Sequence, residues 1–113
     1  MAAADEALPR KLTAILVADV VGYSRLMGND ETGTLSRLSE HRKNIIDPLI
    51  HAHHGRIVKL MGDGALVEFP SVLEATTCAL KIQEGIAERN KGIPETHKIQ
   101  FRIGINLGDV IIH

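Results

Sequence analysis

The sequence predicts an α+β fold of the ferredoxin-like type, an antiparallel sheet with helices packed on one face. Two observations lead to this prediction. Strand-like apolar or alternating segments and segments of helical periodicity follow one another in the order β-α-β-β-α-β. A tight G-D-G turn at residues 62–64 joins the second and third strands into a hairpin. Because crossover connections are right-handed, the expected strand order in the sheet is 4-1-3-2.

The chain has 113 residues, the length of one small domain. Residues 1–9 are predicted to be a flexible lead-in of small and acidic residues, and residues 10–113 to form one domain. The first strand, residues 11–20, is a nearly unbroken apolar run. Such a run is typical of a strand buried in the middle of a sheet.

A long helix is predicted over residues 30–54, where leucine and isoleucine recur at helical spacing. Asn29 or Asp30 can cap its beginning, and Gly55 is expected to end it. Pro48 lies inside this helix and is expected to kink it, because proline lacks the backbone donor.

The second half of the chain is also predicted to contain strands and a helix. Ser71 and Glu74 form a capping box at the start of a helix that ends near residue 90. Alternation of apolar and polar residues then predicts a half-buried strand. The predicted segments are strands 56–61 and 65–70, a loop at 91–97, a strand at 98–107, and a bend that begins another strand at 108–113.

Composition excludes several classes of function. Thirteen basic and fourteen acidic side chains give a net charge of −1, so no basic footprint for nucleic acid or for a membrane surface is present. No apolar run approaches the roughly 20 residues of a membrane span, and the N-terminus does not resemble a secretory signal. One cysteine rules out an internal disulfide and favours a cytoplasmic location.

Two aspartates are expected to meet at one edge of the sheet. Asp19 ends the first strand, and Asp63 lies in the turn after the parallel second strand. Two neighbouring carboxylates repel each other unless a cation relieves them, and carboxylate oxygens are the ligands that Mg²⁺ prefers. Gly22, Gly62 and Gly64 leave room for phosphates to approach the backbone. On spacing alone, however, aspartate at a strand end and G-D-G are ordinary turn formers.

Three segments resemble the catalytic domain of class III adenylate and guanylate cyclases, and the bacterial adenylate cyclases most of all. The segments are ILVADVVGYSRLM (15–27), VKLMGDGALVEF (58–69) and RIGINLGDV (102–110). They occur in the order and spacing of that family, and the resemblance covers roughly residues 10–113.

The resemblance implies roles for individual residues. Asp19 and Asp63 match the two metal-binding aspartates, and Val20 matches a position whose backbone carbonyl meets a metal. Lys59 matches the base-selecting position, where lysine accompanies adenine. The substrate-binding residues implied are Lys59, Val21, Gly22, Tyr23 and Gly62.

The implied reaction converts ATP to 3′,5′-cyclic AMP and pyrophosphate, with two Mg²⁺ or Mn²⁺ ions per site. The family's sites form between two protomers, so a homodimer or a heterodimer with another cyclase domain is expected. The family domain continues past residue 113 and carries transition-state groups there. We therefore expect this chain alone to be inactive as a cyclase.

Other interpretations of the sequence stay open. The chain could be a non-catalytic ferredoxin-like module for dimerisation or nucleotide binding. A palm-type polymerase or diguanylate cyclase shares the fold, although the G-D-G turn and Lys59 argue against it. His51 and His54 could share a helix face and bind Zn²⁺ or Ni²⁺, but exposed cations at a helix end are the simpler interpretation. Cys78 is expected to be a buried small hydrophobe.

Overall fold

The computed structural model describes residues 10–111, which form four strands and four α-helices. The strands are β1 (Arg10–Val20), β2 (Arg56–Met61), β3 (Gly64–Phe69) and β4 (Phe101–Ile111). The helices are α1 (Tyr23–Asn29), α2 (Glu31–His41), α3 (Asp47–Ala52) and α4 (Val72–Asn90). A π-helical turn, Arg42–Ile46, joins α2 to α3, and a 3-10 turn, Glu95–His97, precedes β4. The predicted flexibility of residues 1–9 concerns residues outside the described range.

The sheet has the order β2-β3-β1-β4, which is the predicted order counted from the other edge. Every neighbouring pair is antiparallel, so β1 and β2 run parallel with β3 between them. The predicted α+β, ferredoxin-like arrangement is therefore confirmed. The apolar run of β1 occupies a central position, where both of its edges are paired.

The helices cover one face of the sheet. Leu16 of β1 and Phe69 of β3 lie in one core cluster with Cys78 and Ile82 of α4 and Ile50 of α3. Because strand side chains alternate between faces, Asp19 projects from the opposite, helix-free face. No helix among the residues that the structure describes is both long and apolar enough to cross a bilayer.

The helix predicted over residues 30–54 is interrupted, and a short helix that was not predicted, α1, precedes it. Asp30 separates α1 from α2 and caps α2 by accepting a hydrogen bond from the Gly33 N–H at 3.0 Å. Before Pro48 the helix widens into the π-helical turn, in which the Asp47 N–H donates to the Arg42 carbonyl. Proline in a regular helix removes a donor and its ring crowds the carbonyl four residues earlier. The distortion expected at Pro48 is therefore a widened helical turn just before the proline.

Gly55 follows the end of α3, but the left-handed residue there is His54, with φ 63°. The Gly55 N–H donates to the Ile50 carbonyl at 2.8 Å, which closes the helix in a Schellman motif. A Cβ on Gly55 would lie 2.6 Å from Cε1 of Phe69. Glycine is therefore required by packing against the core at this position and not by its backbone conformation.

The second half largely follows the prediction. Ser71 caps α4 by accepting a hydrogen bond from the Glu74 N–H at 3.1 Å. The expected bend and new strand at residues 108–113 are wrong, because β4 continues to Ile111 while pairing with β1. The pairing between β1 and β4 is unbroken through Gly108, which lies opposite Thr13. Strand β4 therefore extends as far as its partner β1. The last part of that prediction, residues 112–113, lies outside the described residues.

Candidate active site

The backbone brings Asp19 and Asp63 to the same edge of the sheet, the one at which β1 and β2 end. Asp19 is paired with Gly64 at the start of β3, and the Val20 N–H donates to the Asp63 carbonyl oxygen at 3.1 Å. The turn that carries Asp63 is thereby fastened to the end of β1. Two residues 44 positions apart in sequence are neighbours for the reason predicted, since β1 and β2 end at the same edge.

Arg102 is a further member of this site that sequence reasoning missed. It stands opposite Asp19 on β4, and its Nε donates to Asp19 Oδ1 at 2.9 Å. Its Nη2 donates to Asp19 Oδ2 at 3.3 Å. The alternation in the last predicted strand placed this arginine on the polar face. Only the register between β1 and β4 reveals that it meets the aspartate.

The charges around Arg102 support a common site. Its pKa is raised by the hydrogen bond to Asp19, then by the negative charge of Asp19, and also by the charge of Asp63. Arg102 therefore lies within electrostatic reach of both carboxylates. The Arg102 side chain is 71% exposed and that of Asp19 41% exposed, so the ion pair is open to solvent.

The segment after β1 forms a sharp corner beside the two aspartates. The Val21 N–H donates to the Gln100 carbonyl at 2.9 Å, which holds the corner against the chain leading into β4. Gly22 has φ 65°, a left-handed conformation that favours glycine, and precedes the first residue of α1, Tyr23. The predicted phosphate-facing residues Val21, Gly22 and Tyr23 thus lie next to Asp19, with Gly62 across in the turn.

Lys59 is not brought beside Asp19. It lies on the edge strand β2, opposite Leu66, and is exposed. A register shift between Ile57 and Lys59 marks a β-bulge, which changes where the side chains of an edge strand point. Strand β3 separates Lys59 from β1, so the lysine lies on a different part of the sheet from Asp19.

The oxygen donors at this edge fit a hard divalent cation. The described residues contain no cluster of three or more histidine, cysteine or acidic side chains that could hold a metal ion. Any cation at Asp19 and Asp63 would therefore complete its shell with main-chain oxygens, substrate phosphates or water, as Mg²⁺ commonly does.

The histidines near the end of α3 form no such cluster either. His53 and His54 both approach the same carboxylate oxygen of Glu74, at 3.5 and 3.3 Å between Nδ1 and Oε2. These contacts tie the end of α3 to the first turn of α4. Within the described residues, His51 and His54 belong to no group of three or more such metal ligands.

The chain is similar to known nucleotide cyclases. The sequence matches the family described as the adenylate and guanylate cyclase catalytic domain over residues 7–113. A putative adenylate cyclase 3 from Rhizobium meliloti (strain 1021) is 46% identical over 109 residues. An adenylate cyclase from Streptomyces coelicolor is 32% identical over 106 residues. A crystal structure of an adenylate/guanylate cyclase/hydrolase from Silicibacter pomeroyi is 46% identical and superposes with a TM-score of 0.83.

The aligned regions cover nearly all of this chain but only part of each relative. The alignments span 96% of this chain and 19% of the Rhizobium meliloti protein, and 94% of this chain and 26% of the Streptomyces coelicolor protein. The superposition covers 93% of this chain and 61% of the Silicibacter pomeroyi chain.

Proposed function

The chain belongs to the adenylate and guanylate cyclase catalytic domain family, and we propose that it contributes the metal-binding half of a site that converts ATP to 3′,5′-cyclic AMP and pyrophosphate. The observation that carries this proposal is the meeting of Asp19, the Asp63 turn and Arg102 at one edge of the sheet. The match to the family supports a purine nucleoside triphosphate as the substrate class. ATP in particular is proposed from Lys59.

Asp19 and Asp63 are proposed to hold the divalent ions, Mg²⁺ or Mn²⁺, together with the backbone carbonyl of Val20. Two such ions, when bound, favour ionisation of the attacking 3′-hydroxyl and offset the negative charge of the phosphates. The protein's own contribution is to fix the two carboxylates on a strand end and on a short turn. Both positions are held by backbone hydrogen bonds and so are preorganised.

We propose that Arg102 changes its hydrogen-bond partner when metal ions and nucleotide occupy the site. It donates to both carboxylate oxygens of Asp19, so a cation that binds these oxygens competes with the guanidinium for the same carboxylate. The pair is exposed, and exposed ion pairs contribute little stability, so the exchange costs little. A released guanidinium beside the site is suited to bidentate hydrogen bonds with phosphate oxygens.

The corner after β1 is proposed to lie against the triphosphate. Gly22 itself has no side chain, and the guanidinium of Arg25 lies beside it, with Nη2 at 3.1 Å from where a Cβ would be. Gly62 offers an open approach from the turn, since an added Cβ there would meet no atom within 4 Å.

Lys59 is proposed to read the base. An ammonium group can donate to N1 of adenine, whereas guanine presents an N–H donor at the same position. The exposed place of Lys59 on the edge strand, away from Asp19, is compatible with a site shared between two protomers. In that arrangement the aspartates belong to one protomer and the lysine to its partner.

We also propose that the 113-residue chain alone has negligible cyclase activity. The chain spans 61% of the solved Silicibacter pomeroyi chain, and Arg102 is the cation that pairs with Asp19. Stabilisation of charge at a reacting phosphate by one arginine is worth on the order of 10³-fold or more. Further groups from the remaining part of a cyclase domain are therefore expected to be needed.

The decisive experiment is an assay of Mn²⁺-dependent conversion of ATP to cyclic AMP. The chain alone is compared with a version extended by its native downstream sequence, and the extended Asp63→Ala variant is compared with Glu84→Ala, an exposed position on α4. We expect product from the extended protein, a loss of at least about 100-fold in Asp63→Ala, and no loss in Glu84→Ala. An extended protein that binds ATP without forming product would favour a non-catalytic nucleotide-binding module.

The proposed base selection gives a separate prediction. In the extended protein Lys59→Glu is expected to lose the preference for ATP over GTP, because a carboxylate accepts from the N–H groups of guanine. The ratio of kcat/KM for the two nucleotides measures this change, and Lys81→Glu on α4 is the matched charge reversal. If the ratio is the same in Lys59→Glu and wild type, Lys59 is only a surface residue.

A further inference from the structure

Arg25 lies in the first turn of α1 and reaches back over the corner that follows β1. Helical side chains are tilted towards the N-terminus of their helix, so an arginine at the third position of α1 directs its guanidinium towards Gly22. A Cβ placed on Gly22 would lie 3.1 Å from Nη2 of Arg25, 3.5 Å from Cζ and 3.8 Å from Nε. The guanidinium therefore occupies the space that a side chain at position 22 would fill.

The backbone that carries Arg25 is held in place by the next residue, Leu26. Leu26 is buried in a cluster with Val20 and Ile99, with 4% of its surface exposed. Its N–H donates to the Gly22 carbonyl at 3.1 Å, which closes the first turn of α1. Arg25 itself is exposed. Because Val20 is the last residue of β1, the exposed arginine is presented from a fixed backbone position beside the end of that strand.

The charge of Arg25 is not balanced by a neighbouring acid. Among the side chains that the structure describes, no carboxylate pairs with Arg25, whereas other arginines of the chain have partners. An arginine does not lose its proton in a protein. A full positive charge therefore lies over the corner without a counter-charge from the described residues. The paired arginines are Arg37 with Asp30, Arg42 with Asp47, Arg56 with Glu68, Arg102 with Asp19 and Arg89 with His41.

This guanidinium is suited to an anion with several oxygens that lies along the corner. Guanidinium groups are planar and donate paired hydrogen bonds to phosphate. Gly22 follows Asp19 by three residues, so their Cα atoms are at most about 11 Å apart. An extended polyphosphate and the length of the Arg25 side chain together cover this distance. Under the proposed function the reacting phosphorus lies next to the aspartates, so the part that extends along the corner is the leaving pyrophosphate.

We infer that Arg25 is a phosphate-binding residue of the proposed site and holds the pyrophosphate part of the nucleotide, an inference that rests on the proposed function. Its guanidinium donates to non-bridging phosphate oxygens. These oxygens are present in the substrate, in the transition state and in the pyrophosphate product alike. Arg25 therefore strengthens binding in all three, which lowers KM and leaves kcat nearly unchanged.

The first test is a calorimetric titration of the 113-residue chain with inorganic triphosphate in the presence of Mg²⁺. Arg25→Gln is expected to bind triphosphate roughly tenfold more weakly than wild type, because charge-assisted hydrogen bonds are lost. Arg25→Lys keeps the charge without the planar fork, so its affinity is expected to lie between the two. Lys81→Gln, which removes an exposed cation of α4, is the control and should bind as wild type does. Urea denaturation shows that each variant is folded.

The second test is kinetic and uses the extended protein. Arg25→Gln is expected to raise KM for ATP roughly tenfold and to keep kcat within about twofold of wild type. Inhibition by pyrophosphate is expected to weaken by the same factor. A merely structural role for Arg25 would not separate KM from kcat in this way.

Several results would overturn the inference: no triphosphate binding by wild type, unchanged affinity in Arg25→Gln, an equal loss in Lys81→Gln, or a fall in kcat at unchanged KM. If the extended protein forms no cyclic AMP but Arg25→Gln still weakens triphosphate binding, the proposed function fails and the phosphate contact stands. If the extended protein is active and Arg25→Gln changes neither binding nor KM, only this inference fails.

Discussion

At the scale of single residues, two glycines of the same turn have different roles. Gly64 faces Asp19 across the sheet, and a Cβ added to it would overlap the carbonyl oxygen of Ala18. Gly62 has open space around it. The close approach of the turn to β1, which places Asp63 beside Asp19, therefore depends on Gly64.

Gly64→Ala is expected to destabilise the fold by roughly 1–3 kcal/mol, because the clash is with backbone and cannot be relieved by a side-chain rotation. Gly62→Ala is expected to stay within about 0.5 kcal/mol of wild type. Urea denaturation of the two variants measures the difference. Equal midpoints for both would show that β3 can move away from β1 without cost.

His41 is a buried histidine that the sequence did not single out. It is 6% exposed, and its Nδ1 accepts a hydrogen bond from Arg89 Nε at 3.1 Å. Its pKa is lowered from the ordinary value of 6.5, mainly by burial and further by the charges of Arg89 and Arg37. The folded protein therefore holds this ring neutral under conditions in which the unfolded chain binds a proton.

This lowered pKa predicts a pH dependence of stability. Above pH 6.5 the ring is neutral in both states, so His41 contributes no slope. Below pH 6.5 the unfolded chain takes up the proton, and stability falls as pH decreases, by at most about 1.4 kcal/mol per pH unit. His41→Gln should flatten the curve between pH 6.5 and 5 in urea denaturation, whereas His51→Gln, at an exposed position, should retain the wild-type slope. A wild-type slope in His41→Gln would assign the effect to other groups.

At the scale of elements, local signals succeeded where the deciding contacts are local. The capping box at Ser71 starts α4 where predicted, because the cap and its partner are three residues apart. Asp30 caps the start of the long helix as predicted, but the widened turn before Pro48 divides that helix. The buried face of α4 was predicted from periodicity, and Cys78 lies fully buried within it. Burial raises the pKa of its thiol to about 11, as expected of an inert buried cysteine.

The cap of α4 gives a prediction at this scale. Ser71→Ala removes the acceptor for the Glu74 N–H and is expected to cost about 1 kcal/mol of stability. Ser36→Ala, at an exposed position within α2, is the matched control and should be neutral or slightly stabilising, since alanine favours the helix interior. Thermal and urea unfolding compare the two. A Ser71→Ala variant as stable as wild type would mean that packing alone fixes the start of α4.

At the scale of the whole molecule, Asp19 and Lys59 lie on strands separated by β3. Lys59 is level with Val17 through Leu66, and two strand spacings of about 4.8 Å set those two backbones roughly 10 Å apart, with Asp19 two residues further along β1. Under the proposed function each site uses the aspartates of one protomer and the lysine of its partner. A dimer then carries two sites, each completed by residues from both chains.

This sharing predicts complementation. In the extended protein, Asp63→Ala and Lys59→Ala are each expected to be nearly inactive. An equal mixture should recover about a quarter of wild-type activity, because half of the dimers are mixed and each mixed dimer has one intact site of two. Mixing Asp63→Ala with Asp19→Ala is the control and should recover nothing, because one protomer must supply both aspartates. No recovery in the first mixture would place the lysine and aspartates in one protomer.

The amino-acid sequence by itself determined the four strands, the sheet order and the meeting of Asp19 with Asp63. Hydrophobic periodicity, a capping box and a short turn are local signals, and the handedness of crossovers leaves few topologies. The roles of the site residues remain predictions.

Only the tertiary structure decided that Arg102 faces Asp19 and that β4 runs straight through Gly108. Register between distant strands and packing of helices on a sheet depend on contacts across the whole chain. Such contacts leave no signature in a short stretch of sequence.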